Sequence, residues 1–295
     1  LPQTAAATVN EDSLKWLDHH QKACFNADDV YQNIRRRRDI LDFQKENQFN
    51  PQLCEKVQEM IENWKVALWR QVRGDGNCYY RAVYVGYIET LIARNDESLP
   101  KFIRFIKDQS ITKDDEYDPN ETIRKSLEQI NNTRVEEGPL QAMMEFEMLV
   151  LRNTAFDQQL IYFLRQEVVK FADDEDRVNQ AHQSSMLLKD LLIGSPNAKG
   201  QILTMGRDAE GFELYVIPCI LGCKIRIHYL DRKAGVRYWF DEFSPLFEEE
   251  NSSIITLNLL YLPGHYDLLY DTISGHSDAY FQGLLRLLRP SSFQA

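Results

Sequence analysis

Arg73-Gly74-Asp75-Gly76-Asn77-Cys78-Tyr79-Tyr80-Arg81-Ala82 is followed by Val83, Tyr84, Tyr87, Ile88 and Leu91, apolar residues at helical spacing. A glycine-rich loop therefore runs straight into a buried helix with Cys78 in its first turn. Unpaired N–H groups and the positive end of the helix dipole converge there and stabilise an anion. A thiolate is such an anion, and it is the nucleophilic form of cysteine. The loop is also suited to aim backbone N–H groups, those of Asp75, Gly76 and Cys78, at the oxygen of a tetrahedral intermediate.

A cysteine nucleophile needs a base, and among six histidines His265 stands out, in Pro263-Gly264-His265-Tyr266-Asp267-Leu268-Leu269-Tyr270. On a strand, His265 and Asp267 project from one face. Asp267 then orients one imidazole nitrogen and leaves the other for Cys78. Asp75 is the competing carboxylate, able to support either the oxyanion loop or the imidazole. Taken singly, Gly-Asp-Gly-Asn is an ordinary turn, Cys78 a buried hydrophobe and His265 a structural histidine. Together they point to catalysis. The other histidines, His19, His20, His182, His228 and His276, lack comparable partners and read as solvated or structural. Cys219 and Cys223 have no second ligand pair for zinc, and no Walker or dinucleotide glycine pattern occurs. Neither a metal nor a cofactor is expected.

The 295 residues are 43% hydrophobic and 27% charged, enough for a substantial core in one or two domains. Forty-five acidic against 34 basic residues give a net charge of −11, which argues against nucleic acid or an anionic membrane as the main partner. Five cysteines without dense spacing fit a reducing compartment, so the expected location is the cytoplasm and also the nucleus. The longest near-continuous apolar run, Leu214 to Cys223, is broken by Pro218 and Gly222 and is too short to span a bilayer.

Along the chain, residues 1–10 read as a frayed start and Glu11 to Leu68 as helix with charged interruptions; the Arg35 to Arg38 run within it suits a solvated helix face better than a nuclear-import or acidic-partner patch and is left unassigned. Lys107 to Glu137 is polar and reads as a mobile loop or short surface helices around the turn Asp118-Pro119-Asn120. Met143 to Phe171 and Val178 to Leu192 return to helical spacing, and the methionines Met143, Met144, Met148 and Met205 read as core. Cys223 to Asp231 alternates with period two, as a half-buried strand does, and Val236 to Phe243 and Ile254 to Tyr261 read as further strands. The last of these is joined by Pro263-Gly264 to the His265 run as a hairpin. Glu210 to Leu221 is ambiguous between strand and helix. Phe281 to Leu288 reads as a short amphipathic helix. This gives a helical arm (1–40), a catalytic domain (41–275) containing a helical subdomain at about 96–200, and a tail (276–295).

The string Gly74 to Ala82 resembles the nucleophile motif of the ovarian-tumour-type cysteine deubiquitinases. Tyr261-Leu262-Pro263-Gly264-His265-Tyr266-Asp267-Leu268-Leu269-Tyr270 is close to the ending of their otubain branch. Met205 to Glu210 and Ile225 to Arg232 also resemble otubains in order and spacing, so the likeness covers roughly residues 40–272. It implies a papain-like α/β (α+β) fold: a central, mostly antiparallel sheet packed by the Cys78 helix and a helical subdomain. It implies a monomeric hydrolase of isopeptide bonds at the ubiquitin C-terminus that trims polyubiquitin chains. Cys78 would be nucleophile, His265 base then acid, Asp267 orienter, and Asp75 the acidic position before the cysteine. Ubiquitin, polyubiquitin and, through the arm, ubiquitin-conjugating enzymes are the implied partners. The alternatives are a ubiquitin-binding module that inhibits conjugating enzymes without cutting, and a cysteine protease or deamidase with an unrelated substrate. Tyr79 departs from the phenylalanine more usual there, Lys107 to Glu137 matches weakly, and the tail runs past the usual end.

Overall fold

Asn50 caps a helix that Pro51 opens, and Lys65, at φ 53°, closes it. In the computed structural model, which describes residues 11–24, 32–109, 120–184, 198–230, 237–245, 254–272 and 279–289, this helix is α3 (Pro51–Trp64). It follows α1 (Glu11–Cys24), β1 (Arg38–Asp39) and α2 (Ile40–Glu46). After Lys65 the chain runs extended as β2 (Val66–Arg70), buried along its whole length. The helical reading of Glu11 to Leu68 is corrected at both β1 and β2. A left-handed residue ends the helix, and a short apolar run buried on both faces is a strand.

The Arg35 to Arg38 run is not a solvated helix face either. Arg37 is buried, paired with Glu89 at 2.9 Å and set over the rings of Tyr270 and Tyr280. Arg38 lies on β1 and pairs with Glu46 at 2.5 Å.

The central helix α4 (Cys78–Arg94) is buried from Cys78 to Ile92. A Cβ on Gly86 would meet Leu268 Cδ2 at 2.9 Å, so a glycine there lets the helix lie close on the sheet. Around α4 stand α5 (Ser98–Gln109), α6 (Glu121–Glu136), α7 (Pro139–Arg152), α8 (Thr154–Asp173), α9 (Glu175–Ser184) and α10 (Ala198–Leu203). The expected loop or short helices over Lys107 to Glu137 are instead largely the 16-residue helix α6, which buries Ile123, Leu127, Ile130 and Arg134 along one stripe. Residues 110–119 lie outside the described residues, as do 1–10, most of the turn at 118–120, His276, the side chain of His182 and the helical reading beyond residue 184.

The ambiguous segment is helix α11 (Gly211–Leu221), opened by the Glu210 N–H on the Glu213 carboxylate and ended by Gly222 in the left-handed region, at φ 59°. Strands β3 (Cys223–Tyr229), β4 (Trp239–Phe243), β5 (Ile255–Leu262) and β6 (His265–Asp271) follow, then α12 (Ala279–Leu288). The sheet order is β1-β2-β6-β5-β3-β4. Only β3 and β5 run parallel, and every other pair is antiparallel. The β5–β6 hairpin pairs Leu262 with His265 across a turn in which Gly264 has φ 80°. The expected mixed α/β, mostly antiparallel architecture is the one observed. Met143 and Met144 are core, whereas Met205 is 37% exposed and is not.

A buried charge cluster ties the ends of the chain to this frame. Glu147 of α7 accepts from Arg70 of β2, from Tyr280 of α12 and from Gln21 of α1, and faces His20 at 3.2 Å. Gln21 also donates to Tyr280 Oη at 2.8 Å. Arg70 and Arg37 share Glu89, to which Tyr270 donates as well. Two guanidiniums thus face two carboxylates, which is how buried charge is tolerated. Among the described residues no helix is long and apolar enough to cross a membrane.

Candidate active site

Cys78 is the first residue of α4 and is 2% exposed. The loop before it is shaped by Gly76, at φ 75°, where a Cβ would lie 1.9 Å from the carbonyl oxygen of Gly206. No side chain fits there. Asp75 accepts from the Asn77 N–H at 3.1 Å and holds the Arg81 guanidinium in a two-pronged pair at 2.8 and 2.9 Å. Arg81 in turn grips Asp157 of α8 with two bonds of 2.8 Å and donates to the Arg73 carbonyl at 2.9 Å. Burial would raise the Asp75 pKa, but Arg81 and the Asn77 N–H hold it below its ordinary value.

His265 begins β6, and its Nε2 lies 2.8 Å from Asp267 Oδ1. Its other nitrogen, Nδ1, faces Gly74, where a Cβ would come within 3.3 Å. Cys78 acts on the ring electrostatically and favours its charged form. Burial alone would lower the imidazole pKa, yet the bond to Asp267 and the influence of Cys78 prevail and push it up to about 10. Asp267 is itself buried and fully engaged. Trp69 Nε1 donates to its Oδ2 at 3.1 Å and the Val72 N–H to its Oδ1 at 3.0 Å.

The structure therefore brings Cys78, His265 and Asp267 together. Asp75 it places in the loop, bound to Arg81 and not to the imidazole. Of the three N–H groups considered for an oxyanion, those of Asp75, Gly76 and Cys78, none is the Asn77 N–H that Asp75 takes up. A protonated imidazole between a carboxylate and a thiol is the arrangement of an activated cysteine nucleophile.

Trp69, Asp157 and Arg165 were not singled out from the sequence. Each reaches the site across 76 to 198 residues of chain, with no local pattern to announce it. Arg81 stood inside the quoted motif, and the signal for it was a charge at the third place after the cysteine in the otherwise apolar run Cys78 to Ile88. Of the remaining histidines that are described, His19 is exposed, His20 has a carboxylate partner after all, Glu147, and His228 is buried against Asn258 and Tyr238, where burial pushes its pKa down to about 4.

The family model described as Peptidase C65 Otubain matches residues 28–271. The chain belongs to this family. Among otubain relatives, the ubiquitin thioesterase otubain-like protein of Caenorhabditis elegans is 24% identical over 280 residues, covering 91% of this chain and 92% of its own. The ovarian tumor domain-containing deubiquitinating enzyme 1 of Arabidopsis thaliana is 24% identical over 75% of this chain and 74% of its own. Of solved structures, h/ceOTUB1 in complex with ubiquitin aldehyde and UBC13~Ub superposes with a TM-score of 0.60 at 21% identity, over 90% of this chain and 99% of that one. The shared fold is the papain-like one of otubains.

Proposed function

We propose that this otubain is a cysteine deubiquitinase that hydrolyses the isopeptide bond at the ubiquitin C-terminus and trims polyubiquitin. The observation that carries the reading is the Cys78–His265–Asp267 constellation, with the imidazole pushed up to about 10 beside the thiol. In this mechanism the Cys78 thiolate attacks the carbonyl carbon of ubiquitin's C-terminal residue, the carbon bonded to the lysine nitrogen. Loop N–H groups of Asp75, Gly76 and Cys78 receive the oxyanion, and the His265 imidazolium gives its proton to the departing lysine amine. Water, deprotonated by the now neutral His265, then attacks the thioester carbonyl, expels the Cys78 thiolate and restores the thiolate–imidazolium pair. Asp267 keeps the ring oriented and favours its charged form.

Ubiquitin bearing a C-terminal electrophile tests this directly. The expected result is a covalent adduct at Cys78 and loss of turnover in Cys78→Ala with an unchanged fold. Binding without an adduct would favour a non-cutting module instead. A set of defined ubiquitin dimers then reads linkage. The solved structures of h/ceOTUB1 with UBC13~Ub and UBCH5B~Ub support a second contact, with a ubiquitin-charged conjugating enzyme, which titration against such a conjugate measures.

A further inference from the structure

Arg165 is fully buried in α8, and its acceptors among the described residues are uncharged oxygens. One terminal nitrogen donates to the Ile202 carbonyl at 2.7 Å. The other is shared among Asn77 Oδ1 at 2.9 Å, the Arg207 carbonyl at 2.6 Å and the Gly76 carbonyl at 3.4 Å. The guanidinium lies 4.2 Å above the centre of the Tyr80 ring. A single side chain thereby touches both strips of backbone that meet at the nucleophile, residues 76–77 and residues 202–207.

The two strips also touch each other. Asn77 Oδ1 accepts from the Gly206 N–H at 3.0 Å, and Gly76 leaves no room for a Cβ against the Gly206 carbonyl. The Gly76–Asn77 peptide unit is consequently held at both ends, its carbonyl by Arg165 and its N–H by Asp75, which Arg81 anchors. Fixing this plane fixes the neighbouring dihedrals, and these aim the N–H groups of Gly76 and Cys78. The Asn77 side chain, at the N-cap of α4, makes no capping bond of its own because Arg165 and Gly206 occupy it.

We propose that Arg165 is a positioning residue for acyl transfer at Cys78: its planar fork locks residues 76–77 against residues 202–207 and so aims the loop N–H groups at the developing oxyanion. The proposal rests on the reading of Cys78 as nucleophile. Lysine cannot replace it, since a single ammonium nitrogen cannot stand where the two terminal nitrogens of the fork do.

Arg165→Gln and Arg165→Lys, first checked by circular dichroism and thermal melting, test it by three measurements. Hydrogen exchange of peptides spanning 74–80 and 202–208 should quicken together by about tenfold or more. Turnover of a ubiquitin C-terminal amide reporter should fall about 10²-fold in kcat with KM nearly constant, the size expected for a misplaced oxyanion donor. Alkylation of Cys78 by iodoacetamide, which forms no oxyanion, should keep its rate and pH profile. Unchanged exchange in a folded variant overturns the proposal, as does full turnover in Arg165→Lys, which would leave charge alone as the requirement. Alkylation falling in parallel with kcat overturns it too, by moving the effect to the thiolate. Should Arg165→Gln not fold, Arg165→Lys carries the same measurements. If the unaltered protein alkylates but hydrolyses no ubiquitin reporter, the deubiquitinase reading fails while the exchange measurement still decides the role of Arg165.

Discussion

His265 connects protonation to both activity and stability. Burial works against its charge, but Asp267 and Cys78 keep the folded imidazole protonated up to about pH 10, against an ordinary value of 6.5. A pKa raised by folding contributes stability that is fully present below the unfolded value and is lost as pH rises through the folded one. Thermal melts should therefore show a stabilising share of His265 that declines between pH 6.5 and about 10, and a flatter profile over that window in His265→Ala. By the same sign, the alkaline limb of kcat/KM should lie near pH 10, and Asp267→Asn should move it downward. An unmoved limb would detach Asp267 from the imidazole.

Tyr79 is buried with its hydroxyl unpartnered among the described residues. Burial pushes its pKa up, and an unmet buried donor opposes folding. Tyr79→Phe should raise stability by about 1 kcal/mol in urea titration with turnover unchanged. At this scale the sequence was informative wherever chemistry is local. Cys78, His265 and Asp267 announce themselves through flanking glycines and an i, i+2 spacing. Trp69 does not, because it is tied to the site by an indole N–H reaching a carboxylate 198 residues away.

Among the elements, α8 holds the nucleophile loop from behind. Asp157 fixes Arg81, and Arg81 fixes Asp75. Removing one partner of a buried ion pair leaves the other uncompensated, so Asp157→Ala should cost about 3 kcal/mol by denaturant unfolding. It should also slow turnover, whereas Asp157→Glu or Asp157→Asn should keep part of both. The strands of the C-terminal third were legible from period-two alternation and from Pro263-Gly264, whereas the run that forms α11 read equally as strand or helix. The misreadings have physical causes. Val66 to Arg70 continues the apolar density of α3, and only the left-handed Lys65 separates them. In α6 the stripe Ile123, Leu127, Ile130 was present, but charged residues on the other faces masked it.

For the whole molecule, the decisive feature is that α1 and α12 meet over Glu147. Cutting the chain to residues 28–271, the span the family model matches, would keep Cys78, His265 and Asp267 but remove His20, Gln21 and Tyr280 from that carboxylate. Such a fragment should melt roughly 10 °C lower, the shift a few kcal/mol of lost buried pairing produces in a domain of this size. An unchanged melting temperature would show that the clasp contributes nothing. None of this was readable in advance. Strand β2 sits between β1 and β6 because of pairings over some 200 residues, and a buried arginine such as Arg37 looks like its solvated neighbours until its partners are known.

The clasp also has a mechanical meaning. Force applied through the two ends of the described chain reaches α1 and α12 before it reaches the strands, because Gln21 and Tyr280 are joined directly. Under tension the first event should be the peeling of these two helices. The six-stranded sheet, and the cysteine that lies against it, would then bear load only after the ends have let go.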